Sequence, residues 1–296
     1  MLKQTAILVA ALLATSLTLS ACNNTCHNDP EADTAALTLS AAQASAPIPH
    51  AATLGGIATP AGYNRLSADS TSFAAYLRQL PLKPEGSPVK SYDGKQMVTT
   101  SVAFAVVDME IGTTDLLQCA DAVIRLRAEW LYAHKRYSDI AFHFTSGFLC
   151  EYVRWAEGGR ISVSGNRVTW TAGAKKDYGY PTFRRYLDKV FTYAGTLSLS
   201  HEMKKVKYSD MQIGDVFLVG GSPGHAIIVV DMAEDSISGD RVYMVAESYM
   251  PAQDIHILLN GDAEARSPWY SLRQLIENNG VDFPTWKYGP NRLHRF

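Results

Sequence analysis

From Tyr63 onward, apolar and polar positions recur with periods that predict most of the elements. Ser72 can cap a short helix over residues 73–80, which Pro81 ends. Pro84, Gly86 and Pro88 then punctuate a loop, and Tyr92-Asp93-Gly94-Lys95 reads as a tight turn. Residues 97–109, rich in Val, Thr and Phe, predict a strand. Asp115 and Gln118 have the spacing of a capping box, so a central helix is expected to start at Asp115. Leu116, Ala120, Val123, Arg127 and Leu131 mark one of its faces, while Cys119, Val123, Leu126 and Trp130 mark an overlapping one. Residues 139–144 predict a strand, and 160–164 with 167–171 predict two more that meet at Gly165-Asn166. A helix over 182–194 should stop at Gly195, and a shorter one should cover 199–206.

The period changes in the C-terminal third. Residues 215–219, 225–232, 241–248 and 254–259 are four successive strand-like runs with short Gly-, Pro- or acidic-rich connections. Short connections favour an antiparallel meander. A last helix near 272–277 and a terminal strand near 291–295 should pack on its edge. Helix first and curled sheet afterwards predict one α+β domain over residues 63–296.

The start of the chain has another character. Lys3 precedes an uncharged apolar stretch from Ala6 to Leu19, too short to span a bilayer comfortably, which reads as a secretory signal over residues 1–21. Leu19-Ser20-Ala21-Cys22 resembles the lipobox of bacterial lipoproteins. That resemblance implies cleavage before Cys22, lipidation of its thiol, and membrane lipid as a partner; an ordinary secretory signal is the alternative. Several acyl chains anchor firmly, at about 0.8 kcal/mol per buried methylene. Asn23 is not the Asp that often marks inner-membrane retention in such lipoproteins, so an outer-membrane site in the cell envelope is expected. Residues 22–62, rich in Ala, Thr, Ser and Pro, read as a lipidated flexible tether.

Charge and cysteine count narrow the function classes. The net charge is −2, without a basic stripe, which argues against nucleic acid as a partner. Four cysteines, Cys22, Cys26, Cys119 and Cys150, are too few for a disulfide scaffold of this size. With Cys22 lipidated an odd number is left, so at least one is free or paired outside the chain. No HExxH, CxxC or paired-carboxylate motif calls for a metal, and no glycine loop cradles a phosphate ahead of a helix, so no cofactor is expected. Tyr76, Tyr92, Trp155, Trp170, Trp269 and Tyr270 could bind glycan, although core packing is the simpler account.

The candidate chemistry is nucleophilic. A free thiol has a pKa of about 8.5 and needs activation near neutral pH. Cys119 falls in the first turn of a helix, where unpaired amides and the macrodipole favour an anion, although the charge of Asp115 opposes this. His225 follows the small-residue turn Gly220-Gly221-Ser222-Pro223-Gly224 and opens an apolar strand, well placed to face a cleft. Glu247 or Ser248 on the next strand could orient its ring, and Glu247 is preferred because it brings charge. A core cysteine, a structural histidine and a solvated strand-end carboxylate are the competing readings. Asp108, Glu110 and above all His256 are possible additional cleft lining.

Gln118-Cys119, Gly224-His225 and Ala246-Glu247-Ser248 resemble the cysteine, histidine-dependent amidohydrolase/peptidase (CHAP) domains and their NlpC-type relatives, over roughly residues 112–134 and 213–250. The resemblance implies a papain-like fold and a thiol hydrolase that cuts amide bonds in bacterial cell walls, with peptidoglycan peptides as a candidate substrate. Cys119 would be nucleophile, His225 general base and then acid, and Glu247 its orienter. Gln118, or the Cys119 amide, would stabilise an oxyanion, with Ser248 and Tyr249 lining the cleft; Tyr249 stands where the family often has Asn. The long interval between Cys119 and His225 implies an insertion around 145–200. A catalytically inactive binding or scaffolding lipoprotein and an acyltransferase using the same residues are the alternatives. Over most of 63–296 the chain also resembles a family of bacterial lipoproteins, domain of unknown function 4846. That likeness is carried by residues 80–88, Gln118-Cys119-Ala120-Asp121-Ala122, residues 221–226 and residues 248–253.

Overall fold

The structure, a computed structural model, describes residues 51–261 and 267–296. The signal, Cys22 and most of the tether lie outside the described residues. Strand β1 (Tyr63–Arg65) and helix α1 (Phe73–Arg78) come first, then β2 (Ala103–Val106) and the central helix α2 (Cys119–Ala133). Next come β3 (Ala141–His143), β4 (Leu149–Glu151), α3 (Tyr152–Ala156), β5 (Gly159–Ser164) and β6 (Arg167–Ala172). Helices α4 (Tyr180–Tyr193) and α5 (Thr196–Glu202) lead to β7 (Lys204–Lys205). The main strands follow: β8 (Val216–Val219), β9 (His225–Asp235), β10 (Arg241–Glu247) and β11 (His256–Leu258). Strand β12 (Tyr270–Ser271), α6 (Leu272–Glu277), β13 (Val281–Asp282), β14 (Lys287–Tyr288) and β15 (Leu293–Arg295) end the chain.

The fold is α+β. Strands β8, β9, β10 and β11 are consecutive antiparallel neighbours, as the meander predicted. Strand β2 continues the sheet beyond β11, and β15 and then β7 continue it beyond β8. Both faces are covered. On β9, Ala226, Ile228 and Val230 join the core under α2, and Ile227 and Val229 join a second core under α6 and the β13–β14 hairpin. Burial on both faces turns the run 226–230 into continuous apolar sequence rather than an alternation.

Several elements differ from expectation for identifiable reasons. Residues 98–102 form a 3-10 turn instead of the start of a strand. There the Ser101 hydroxyl turns back to the Val98 carbonyl, local bonding that competes with a ladder, while the Thr99 and Thr100 hydroxyls reach Gln253 and Val89. Helix α5 starts at Thr196, where the Gly195 amide donates to the Ser198 hydroxyl, and it ends before β7. Residues 51–62, read above as tether, pack on the domain: Leu54 and Ile57 are buried and the Leu54 amide donates to the Leu80 carbonyl. Strand β4 and helix α3 had no sequence signal of their own.

One buried carboxylate ties the N-terminal elements to the sheet. The β9–β10 register shifts between Met244 and Val245, which puts an extra residue into β9 beside Asp231. Asp231 is fully buried and takes Arg65 Nε from β1 at 2.6 Å and Arg78 Nε from the end of α1 at 2.7 Å. Arg65 also donates to the Ile57 carbonyl, which holds residues 51–62 in place. Asp231→Ala leaves two guanidiniums facing an apolar sheet, so we expect a loss of about 3 kcal/mol, measured by urea denaturation at constant pH. A loss below about 0.5 kcal/mol would mean that the ion pairs carry no net stability.

Candidate active site

The first turn of α2 is built differently from the predicted one. Asp115 does not cap the helix: its Oδ1 accepts from the Ala252 amide at 2.7 Å and from Gln118 Nε2 at 3.1 Å. Gln118 is the N-cap residue, and its amide donates to Asp121 Oδ2 at 3.1 Å. Cys119 is therefore the first helical residue, and its amide has no partner within the helix ladder. Burial pushes the Asp121 carboxyl up to about 8 against the backbone hydrogen bonds that favour its anion.

The turn before β9 is held by α5. Thr196 Oγ1 bonds both the carbonyl and the amide of Gly221, at 3.2 and 3.3 Å. A Cβ on Gly224 would run into the Gly221 carbonyl and come within 2.5 Å of Thr196 Oγ1 and 2.7 Å of the Val219 carbonyl. Only glycine fits there, and the residue that follows is His225.

Strand alternation does the rest. His225 on β9, Glu247 on β10 and His256 on β11 fall on the second-core face of three adjacent strands. His225 Nε2 lies 2.6 Å from Glu247 Oε2, and the Cys119 thiol lies near enough to the His225 imidazole to raise its pKa. Burial alone would lower the pKa of His225. The hydrogen bonds to Cys119 and Glu247 outweigh it and raise it to about 9. Burial likewise disfavours the Glu247 anion, but the hydrogen bond from His225 and the nearby His256 ring hold its carboxyl below the usual glutamate range.

Access is narrow. Cys119 keeps 7% of its surface and His225 2%. Tyr249 and Trp286 stand beside the His225 ring, with centroids 5.0 and 5.2 Å away. A cavity of about 270 Å³ between β2 and residues 82–87 contains none of these side chains.

The other sequence candidates separate. Gln118 turns its amide nitrogen toward Asp115. Ser248 is fully buried and directs its hydroxyl at the Leu117 and Gln253 carbonyls, tying the segment before α2 to the turn after β10. Glu110 is exposed and faces Arg184 at 3.7 Å, and Asp108 is exposed. His256 is fully buried behind Glu247 and lines no open cleft. Two contributors had no sequence signal: Thr285, whose hydroxyl donates to Glu247 Oε2 at 3.0 Å, and Trp286. Both belong to the β13–β14 hairpin, whose run Phe283-Pro284-Thr285-Trp286 carries no motif. Among the described residues no His, Cys, Asp and Glu group could hold a metal ion, and no helix is long and apolar enough to cross a membrane.

The chain belongs to the family described as domain of unknown function (4846), whose model matches residues 55–295. Neither a curated protein nor a solved structure matches it.

Asp121 sets a pH dependence with a definite sign. Above the ordinary value of 3.8 the unfolded chain loses this proton, while the folded protein keeps it up to about 8. Each pH unit between the two therefore favours unfolding. Asp121→Asn removes the effect, so its stability relative to the parent should rise steadily between about pH 4 and 8 and level off above. Denaturant titrations of both proteins across that range check this; a difference independent of pH would mean that Asp121 is ionised in the folded state.

Proposed function

We propose that this chain is a lipid-anchored cysteine hydrolase of papain-like arrangement, cutting amide bonds in the cell envelope, with peptidoglycan peptides as the substrate class. The observation that carries the reading is the contact chain Cys119–His225–Glu247, in which the imidazole keeps its second proton up to about pH 9. An imidazolium bonded to sulfur favours the thiolate, and a first-turn position on a helix adds to it. The order of the parts, nucleophile on a helix and base and orienter on successive antiparallel strands, is also what the CHAP resemblance implies.

In this reading the Cys119 sulfur attacks the carbonyl carbon and a C–S bond forms. The oxygen takes up the charge beside the free Cys119 amide, with Gln118 at the rim. His225 gives its proton to the leaving nitrogen as the C–N bond breaks, leaving a thioester. Water then loses a proton to His225, attacks the thioester and releases the thiolate and the acid. Glu247 keeps Nε2 protonated and the ring oriented throughout. Acyl transfer to an amine is a second reading, favoured by the slight exposure of Cys119 and the aromatic walls, which restrict water.

The anchor rests on the apolar stretch from Ala6 to Leu19 and on Leu19-Ser20-Ala21-Cys22. Membrane lipid bound through Cys22 would place the domain in the envelope, with the outer membrane as the preferred site.

Three experiments test these readings. At pH 6.5 a thiol of ordinary pKa, about 8.5, is only about 1% ionised, so an activated Cys119 should react with iodoacetamide up to about 100-fold faster than the same residue in His225→Ala. Equal slow reaction leaves a binding or scaffolding protein. Incubation with purified muropeptides and mass spectrometry then separates a hydrolysed bond from one transferred to an added amine; neither product nor adduct removes the envelope substrate. For the anchor, Cys22→Ser should abolish incorporation of labelled fatty acid and move the protein from the membrane to the soluble fraction. Unchanged fractionation without label would mean that lipid is not the tether.

A further inference from the structure

His256 is an imidazole where an apolar side chain would be expected. Its neighbours on the chain, Ile255, Ile257 and Leu258, are all buried, and the residue itself is fully buried. It lies directly across from Glu247 in the β10–β11 register. Its Nδ1 is 3.0 Å from the Asp254 carbonyl, an acceptor only, so Nδ1 carries a proton. That anchor is itself fixed, because the Asp254 carboxylate takes Lys83 Nζ at 2.8 Å and the Lys90 amide at 2.9 Å. The ring is thereby held with Nε2 at 3.5 Å from Glu247 Oε1, within ion-pair reach, and neither of these two buried atoms has a hydrogen-bond partner.

We propose that His256 is a positioning residue for the catalytic set: it fixes the second oxygen of Glu247 and, through that carboxylate, the orientation of the His225 ring. The inference rests on the thiol hydrolase reading above. Glu247 Oε2 already receives His225 Nε2 and the Thr285 hydroxyl, so one oxygen is saturated while the other has only His256. The terminal torsion of a glutamate is broad. Held through one oxygen, the carboxylate can swing and carry the His225 ring with it; held through both, it cannot. With Nδ1 committed to a carbonyl, His256 attracts Oε1 when Nε2 is protonated as well. The other groups facing this end are few. Strand β2, paired at Val106, offers no ionisable side chain. From β14 comes the Tyr288 phenol, pushed well up by burial and then by Glu247 and Cys119.

The test reads the sulfur, not the fold. Cys119 alkylation by iodoacetamide, located by peptide mass mapping, is followed from pH 5 to 10 in the full chain and in His256→Gln, His256→Asn and His225→Ala. Glutamine is long enough to donate an N–H to Oε1; asparagine is too short. His256→Asn should react about tenfold more slowly at pH 6.5, with its inflection moved to alkaline pH, and His256→Gln should recover most of the parent profile. A structural role alone would lower the melting temperature in both and leave the profile where it was. Parent-like profiles in both variants, beside a slowed His225→Ala, overturn the role of His256 and keep the hydrolase reading. A parent profile that His225→Ala does not alter overturns both. If His256→Asn does not fold, His256→Gln is compared with His256→Phe, which fills the site without a donor, and the same slow and restored profiles are expected.

Discussion

A glutamate with 1% of its surface left, and ionised there, is the constraint that the rest of the site answers. A lone carboxylate in that position would be costly enough to take up a proton instead. Three elements prevent this. Strand β9 brings an imidazolium to one oxygen, the β13–β14 hairpin adds a hydroxyl to the same oxygen, and β11 sets a second imidazole against the other. Each partner depends on register. A one-residue slip of any of these strands would turn its polar residue onto the α2 face, which is apolar. The geometry that could serve chemistry is thus also what keeps a charge tolerable inside the sheet.

The parts legible in the sequence are those set by local pattern. Four runs with short connections gave the meander, Gly165-Asn166 gave the β5–β6 turn, and Gly224-His225 at the mouth of an apolar run gave the start of β9. Cys119, His225 and Glu247 stood out because their types and places suggested an activated nucleophile, and the fold brings their side chains together. What escaped is long-range. Asp115 looks like a cap because it sits three residues before Gln118, but its oxygen is drawn off by the Ala252 amide, far along the chain. The β9 bulge that frees Asp231 for two arginines shows only once β9 and β10 are paired. Thr285 is one polar residue in a short hairpin, and nothing nearby says that it meets Glu247.

The segment between α2 and β8 follows the same logic. Its β5–β6 hairpin and α4 were legible, but β4, α3 and β7 were not, because they are short and the cohesion around them is aromatic rather than periodic. Tyr132 on α2 stacks on Phe183 of α4 at 4.3 Å, while Tyr152 meets Phe183 and Tyr186 edge-on. These rings brace the far end of the helix that begins at Cys119. At the other end of the segment, α5 clamps the turn before His225 through Thr196. This segment therefore supports the surroundings of both Cys119 and His225 without contributing a side chain to the contact chain.

The charge at the start of α2 bears on the proposed nucleophile. The sequence suggests a conflict, because an aspartate beside Cys119 would use up the positive end of the macrodipole. The structure resolves it twice. Asp115 is engaged by the Ala252 amide and the Gln118 side chain, and Asp121, which does close the capping box, is buried so that it is neutral at pH 7. A neutral acid can accept the Gln118 amide and fix the first turn without offsetting the field of the helix end. That field is then left for a charge on Cys119 or on an oxygen bound beside its amide. An ionised Asp121 would cap the helix more strongly and oppose both anions; burying it favours the chemistry at the expense of the helix.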